Sequence, residues 1–140
     1  KLKEKLFKKY KSFGFEFLTV VDPSAVIMPS AEIAEGVVVF PNAVIGAKVK
    51  LHENVLVHSG VVIEHESVIG AHSYISPNAT IPGRCKIGER CLIGVNSSML
   101  ENISLETACT LGAGALLTKS CLENGVTLLG LPAKKWPCEI

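Results

Sequence analysis

Residues Ile63 to Val68 read Ile-Glu-His-Glu-Ser-Val, and they place His65 between two carboxylates, Glu64 and Glu66. A histidine titrates near neutrality, so it can take a proton from an attacking group and return it later. A carboxylate beside it can fix its tautomer and raise its basicity. Three further histidines, His52, His58 and His72, stand at intervals of six to seven residues along the same stretch. Tyr74 adds a hydroxyl two residues past His72. A plain surface histidine is the competing account of His65.

The chain around this segment is a repeat. From Val21, every sixth residue through Leu117 is aliphatic or Met, seventeen positions without a slip. The residue four places after each of these is small or β-branched, as at Ala25, Val61, Ser67, Cys85 and Ala115. A period of six is the signature of a hexapeptide β-helix. Three hexapeptides make a coil of 18 residues, and coils stack at about the ~4.8 Å inter-strand spacing. No coil can bury its inner face alone, so stability rests on stacking neighbours.

A period of 18 puts residues into columns. His65 has Ala47 and Gly83 as column neighbours, which leaves space beside its ring for an acceptor. Glu66 lies between Lys48 and Arg84, so a cross-strand charge ladder is its bland account. Glu64 lies between Gly46 and Pro82 with no charge partner, and competes with Glu66 as the carboxylate that orients His65. His72 is near Arg90 in its column and reads as plain surface. Asn42, Gly60, Asn78, Asn96 and Gly114 form one column of residues that tolerate positive φ, a turning corner.

Composition fits a stacked-strand scaffold: 48% hydrophobic, only 6% aromatic, 19% charged. The net charge of +1 gives no nucleic-acid signature. Six lysines and one Glu fall in residues 1–11, leaving the rest acidic. No apolar run approaches the ~20 residues needed to span a membrane, and no secretory signal precedes the repeat. Cys85, Cys91, Cys109 and Cys121 fall on the inward small position and read as core filler, whereas Cys138 is unassigned. With no Cys-x-x-Cys pair, no structural metal is expected. Free thiols suit a reducing cytoplasm, the expected location.

At the ends, Leu2, Leu6, Phe7, Tyr10 and Phe13 predict a short amphipathic helix, the edge of a domain or a cap on the first coil. A membrane-surface role is a lesser alternative. The chain opens on Lys1 rather than Met, as expected of a processed or partial chain. The expected division is 1–20 as a remnant or cap of an N-terminal α/β sugar-nucleotide domain, 21–122 as the β-helix, and 123–140 as a C-terminal tail.

Ile-Gly starts at Ile45, Ile69, Ile87 and Ile93, the run Leu111-Gly112-Ala113-Gly114-Ala115 and the closing Gly130-Leu131-Pro132-Ala133-Lys134 carry a resemblance. Together with Asp22-Pro23-Ser24-Ala25, Gly60-x-x-Ile63-Glu64-His65 and Ile75-Ser76-Pro77, the chain resembles the hexapeptide acyltransferases. Within them it is similar to the group that acetylates sialic acid or UDP-4-amino-sugars. The resemblance covers about residues 12–136.

It implies a left-handed β-helix, a homotrimer with active sites between subunits, acetyl-CoA as co-substrate and a sugar or nucleotide-sugar acceptor. It implies direct transfer with His65 as general base and Glu66 as its helper. Gly94, Val95, Gly112 and Ala113 would line the pantetheine groove, and Lys134 and Lys135 would meet CoA phosphates. Tyr74 occupies the place where many relatives carry a second His against the thioester. His58, where relatives often carry Asn, would contact the acceptor or help hold the carbonyl, and a solvated surface position is its competing account. Members usually carry a nucleotide-sugar-binding domain ahead of the helix, of which only the last helix and strand match here. Two other readings stand beside this one: a non-catalytic structural helix, and a γ-type carbonic anhydrase. The second needs three histidines meeting at an interface, and no two here share a column.

Overall fold

The computed structural model describes residues 2–137, and the reading at Cys138 lies outside them. Seventeen two-residue strands recur every six residues and stack into three parallel sheets, the faces of a triangular prism. The first face holds β1 (Val20–Val21), β4 (Val38–Val39), β7 (Leu56–Val57), β10 (Tyr74–Ile75), β13 (Leu92–Ile93) and β16 (Thr110–Leu111). The second holds β2 (Val26–Ile27), β5 (Val44–Ile45), β8 (Val62–Ile63), β11 (Thr80–Ile81), β14 (Ser98–Met99) and β17 (Leu116–Leu117). The third holds β3 (Glu32–Ile33), β6 (Lys50–Leu51), β9 (Val68–Ile69), β12 (Lys86–Ile87) and β15 (Ser104–Leu105).

Register is 18 residues throughout these faces, as in Val62↔Thr80 and Tyr74↔Leu92. The second residue of each strand points inward, and from Val39 onward these residues are nearly fully buried. Each such aliphatic side chain stabilises by roughly 1.5–3 kcal/mol through burial. Between strands the chain turns a corner at a residue in the left-handed region. The turning column is not the Asn/Gly one alone. All three corner columns have positive φ, including Lys48 at 58°, Glu66 at 59°, His72 at 63° and Arg84 at 59°. Lys48, Glu66 and Arg84 therefore sit on successive turns and not on strands, which corrects the cross-strand ladder. Side-chain Sγ–H groups of Cys85, Cys91 and Cys109 donate to carbonyls of neighbouring coils, and burial pushes the Cys91 thiol up to about 11. These three cysteines are core; Cys121 is half-buried.

Past Leu117 the register shortens but stacking continues. Cys121 bridges Leu105, and β18 (Thr127–Leu129) pairs parallel with β16 as Leu111↔Leu128. β19 (Lys134–Lys135) then returns antiparallel on β18.

α1 (Leu2–Ser12) lies along the corner between the third and first faces and spans several coils, while Val20, Val21 and Val26 of the first coil stay exposed. Lys11 pairs with Glu35 at 2.8 Å, and Lys3 Nζ donates to the Asn54 carbonyl at 2.6 Å. Phe7 is buried, stacks on Phe17 at 4.4 Å and meets the His72 ring edge-on at 5.5 Å. His72 is thus not plain surface: its side chain is 5% exposed. Gly36 makes the seat for α1, since a Cβ there would stand 2.9 Å from the Phe7 ring.

Asn54 Nδ2 donates to His72 Nδ1 at 2.9 Å, which holds the imidazole neutral with its proton on Nε2. Burial lowers the His72 pKa, opposed by Glu4 and Glu53 and assisted by Lys8 and Lys3. Arg90, held by Glu4 at 3.8 Å and Glu89 at 3.2 Å, also faces this seat. Lys3 is pushed down to about 8 by burial, so it is charged, docked or free, at pH below that value. A lowered docked pKa at His72 leaves docking unaffected above the free value near 6.5 and weakens it as pH falls below that, until the docked pKa is reached. Amide exchange of residues 2–12, corrected for intrinsic rates, should be faster at pH 5.5 than at pH 7.5. His72→Asn, compatible with positive φ, should remove the difference. Equal protection of the native protein at both pH values would refute this.

Candidate active site

His65 follows β8 and lies on the corner between the second and third faces. Its backbone is locked by stacking: Glu66 N–H donates to Ala47 O and Arg84 N–H to His65 O, both at 2.9 Å. The side chain projects outward and is 45% exposed. Its Nδ1 lies 3.3 Å from Glu66 Oε2. A carboxylate only accepts, so this contact draws the imidazole proton to Nδ1 and leaves the Nε2 lone pair free. Nε2 in turn lies over Gly83. A Cβ on Gly83 would stand 2.5 Å from it. The glycine is what leaves room for the ring on the next coil.

Between the two rival carboxylates, geometry favours Glu66. Glu64 is exposed and makes no side-chain bond among the described residues. Glu66 is itself set by Lys48 at 3.9 Å and Arg84 at 4.0 Å, and Arg84 also bonds Glu101. These side chains are 44–72% exposed, so each pair contributes only ~0–1 kcal/mol, and their effect is positional.

The other expected site residues gather on a different corner, between the first and second faces. His58 follows β7, and Phe40, His58, Ser76, Gly94 and Gly112 share one column there. Tyr74 stands outward on β10, with its Oη 2.5 Å from His58 Nε2. Phe40 stacks on the opposite side of His58, centroids 4.7 Å apart and 19° between planes. Phe40 was not singled out in the sequence, although its spacing of 18 from His58 carries the signal.

The glycines have structural reasons of their own. A Cβ on Gly94 would meet the Ala113 nitrogen at 2.5 Å, so coil stacking requires glycine there. Leu129 fills the place of a Gly112 side chain. Val95 is exposed beside them. Lys135 is held by Glu123 at 2.5 Å, whereas Lys134 lines a cleft of about 350 Å³ with Lys119 at the end of the prism. One chain therefore does not bring His65 and Glu66 together with His58, Tyr74 and the glycine row. A whole face, of order 15 Å at ~3.3 Å per residue, separates the two corners. Among the described residues, no three His, Cys, Asp or Glu converge as a metal site, and no helix is long and apolar enough to cross a membrane.

A prism of two-residue parallel strands stacked at an 18-residue register is the architecture of a hexapeptide β-helix. Residues 48–83 match the family described as bacterial transferase hexapeptide (six repeats), and residues 84–119 the hexapeptide repeat of succinyl-transferase. These adjoining matches together cover just over half of the chain and place residues 48–119 among the hexapeptide repeats of bacterial transferases.

Among solved structures, PerB from Caulobacter crescentus, in complex with CoA and GDP-perosamine, is similar with a TM-score of 0.94 at 29% identity. The acetyltransferase domain of PglB from Neisseria gonorrhoeae is similar with 0.94 at 30%. In both cases the match covers 96% of this chain and 65% of the other, so the chain spans just under two thirds of these relatives' length. WeeI from Acinetobacter baumannii is similar with 0.91 at 26% identity, covering 96% of this chain and 66% of that one.

Proposed function

We propose that this chain transfers an acetyl group from acetyl-CoA to an amine or hydroxyl of a sugar or nucleotide sugar, with His65 as general base. The observation that carries the reading is the Glu66–His65 contact with Nε2 free over Gly83. Nε2 takes the proton of the acceptor as its nitrogen or oxygen attacks the thioester carbonyl. The tetrahedral intermediate then expels the CoA thiolate, which takes the proton back from the imidazolium. No covalent enzyme intermediate is needed. CoA and GDP-perosamine in the PerB structure, and acetyl coenzyme A in a second PglB structure, support this choice of co-substrate and acceptor class. The test is CoA release from acetyl-CoA with a 4-amino-sugar nucleotide and with sialic acid as acceptors. Acceptor-dependent release supports the reading. Its absence with both favours a non-catalytic structural helix.

The working unit we propose is a homotrimer. His65 and the Tyr74–Gly94 corner of one chain face different ways, so a site using both takes one corner from each of two copies. Lys134 and Lys135 would then meet CoA phosphates at the tail end of the groove as point charges. Light scattering at micromolar concentration should give three times the chain mass. A monomer with full activity would defeat the shared site. The remaining parts of the reading are a cytoplasmic location and residues 1–20 as the edge of a sugar-nucleotide domain.

A further inference from the structure

Cys109 and Cys121 meet at the tail end of the prism in a way that core filling does not require. Cys109 is fully buried and Cys121 is half-buried. Both thiols donate to one acceptor, the Glu123 carbonyl, from Cys109 Sγ at 3.1 Å and from Cys121 Sγ at 3.6 Å. Cys85 and Cys91 have separate acceptors, Leu100 O and Glu106 O.

The shortened register brings the two together. Leu105 and Cys109 are separated by the three-residue turn 106–108. One coil on, Cys121 bridges Leu105, and Val126 stands over Cys109 because Thr127 pairs with Thr110. The turn between Cys121 and Val126, residues 122–125, is one residue longer, and Glu123 lies in it. Burial, with the nearby Cys121 thiol adding to it, pushes the Cys109 thiol up. Cys109 therefore stays protonated and out of reach, and Cys121 is the thiol that can react first. Cys121 borders the cleft of about 350 Å³ that exposed Lys119 and Lys134 also line. Two cations on a cleft draw an anionic visitor.

We propose that Cys121 and Cys109 are a dithiol modification site: Cys121 reacts with an anionic low-molecular-weight disulfide drawn to the Lys119–Lys134 cleft, and Cys109 resolves the adduct into a Cys109–Cys121 disulfide. The Cys121 thiolate attacks one sulfur of the small disulfide, and the other leaves as a thiolate that is protonated from water. Cys109 Sγ then attacks Cys121 Sγ, the mixed disulfide breaks, and the second small thiol leaves with the Cys109 proton. Two protein thiols give up two electrons, and the small disulfide becomes two thiols. Cys91 takes no part, because it lies one coil further in and is 2% exposed. The link closes a ring around β16 and β17 beside β18. End coils of a stack have fewer neighbours and open first, so tying Cys121 to the Cys109 corner holds this end shut. None of this chemistry involves His65 or acetyl-CoA.

The experiment uses the full chain carrying Cys138→Ser, so that only the inward thiols are read. The folded protein, reduced and then freed of reductant, meets glutathione disulfide at mildly alkaline pH and is followed by intact mass and non-reducing peptide mapping. The mass should pass through one glutathione adduct and settle two hydrogens below the reduced protein, with the Cys109 and Cys121 peptides joined. Cys109→Ala suits an inward position that Ala115 fills elsewhere, and should stop at the Cys121 adduct. Cys121→Ala should take up no glutathione while folded. Lys119→Glu should slow the first step about 3-fold. Amide exchange of β18, corrected for intrinsic rates, should be about 10-fold slower in the linked form than in the reduced one.

Four results would overturn the proposal: a folded chain that stays unmodified where the urea-unfolded chain reacts, a Cys91–Cys109 link, a Cys121 adduct that persists with Cys109 present, or equal exchange of β18 in linked and reduced forms. Peptide mapping of the chain with both thiols in place decides the link even where a variant folds poorly.

Discussion

Replacing His65 with alanine is expected to lower acetyl transfer about 10²- to 10⁴-fold, or roughly 3–5 kcal/mol of barrier, the usual worth of a positioned general base. Melting temperature should barely move, because the ring is 45% exposed and rests on a glycine. Acetyl-CoA affinity should stay within a few-fold, since Nε2 acts on the acceptor's proton. Glu66→Gln should cost less rate. It keeps an acceptor oxygen for Nδ1–H but gives up the negative charge that stabilises the imidazolium. Gly83→Ala is the geometric counterpart. Its Cβ would occupy the space under Nε2, so the imidazole must tilt away. The measurement is acceptor-dependent CoA release across pH, alongside thermal melting. A His65→Ala protein with near wild-type turnover would sink the mechanism.

The sequence showed the scaffold well because one number, six, governs both strand placement and inward facing. Anchors from Val39 to Leu117 are buried where the period puts them, and the 18-residue column correctly laid Gly83 beside His65. What escaped it was decided by contacts outside that period. His72 looked like surface because its cover, Phe7, lies 65 residues away on α1. The period says nothing of where a flanking helix docks. Charged residues at positive φ escaped because local preference argues against the left-handed region for Lys, Glu and Arg. Stacking overrides it through bonds such as Glu66 N–H to Ala47 O. The choice between Glu64 and Glu66 also required the corner geometry, since both flank His65 equally in sequence. Tyr74 meets His58 across 16 residues, a diagonal that no column displays.

Ile81→Ala and Ile27→Ala should differ sharply in cost although both remove the same atoms from the same inward column. Ile81 is 0% exposed in β11, with β8 on one side and β14 on the other. Its truncation leaves a void between two coils that cannot close without breaking their 18-residue register. A buried Ile→Ala change of that kind costs about 2–5 kcal/mol, and the constrained stack puts it at the upper part of that range. Ile27 sits in β2 of the first coil, is only partly buried and pairs on one side alone. Solvent already reaches it, so the transfer loss is smaller, no enclosed cavity remains, and about 1 kcal/mol is expected. Because each coil contacts only its neighbours, the loss at Ile81 falls on the middle of a quasi-one-dimensional stack and divides it. Denaturant midpoints should show the gap, and amide exchange should show opening centred on β8, β11 and β14. Equal midpoints for the two variants would mean that the coils do not share stability by stacking.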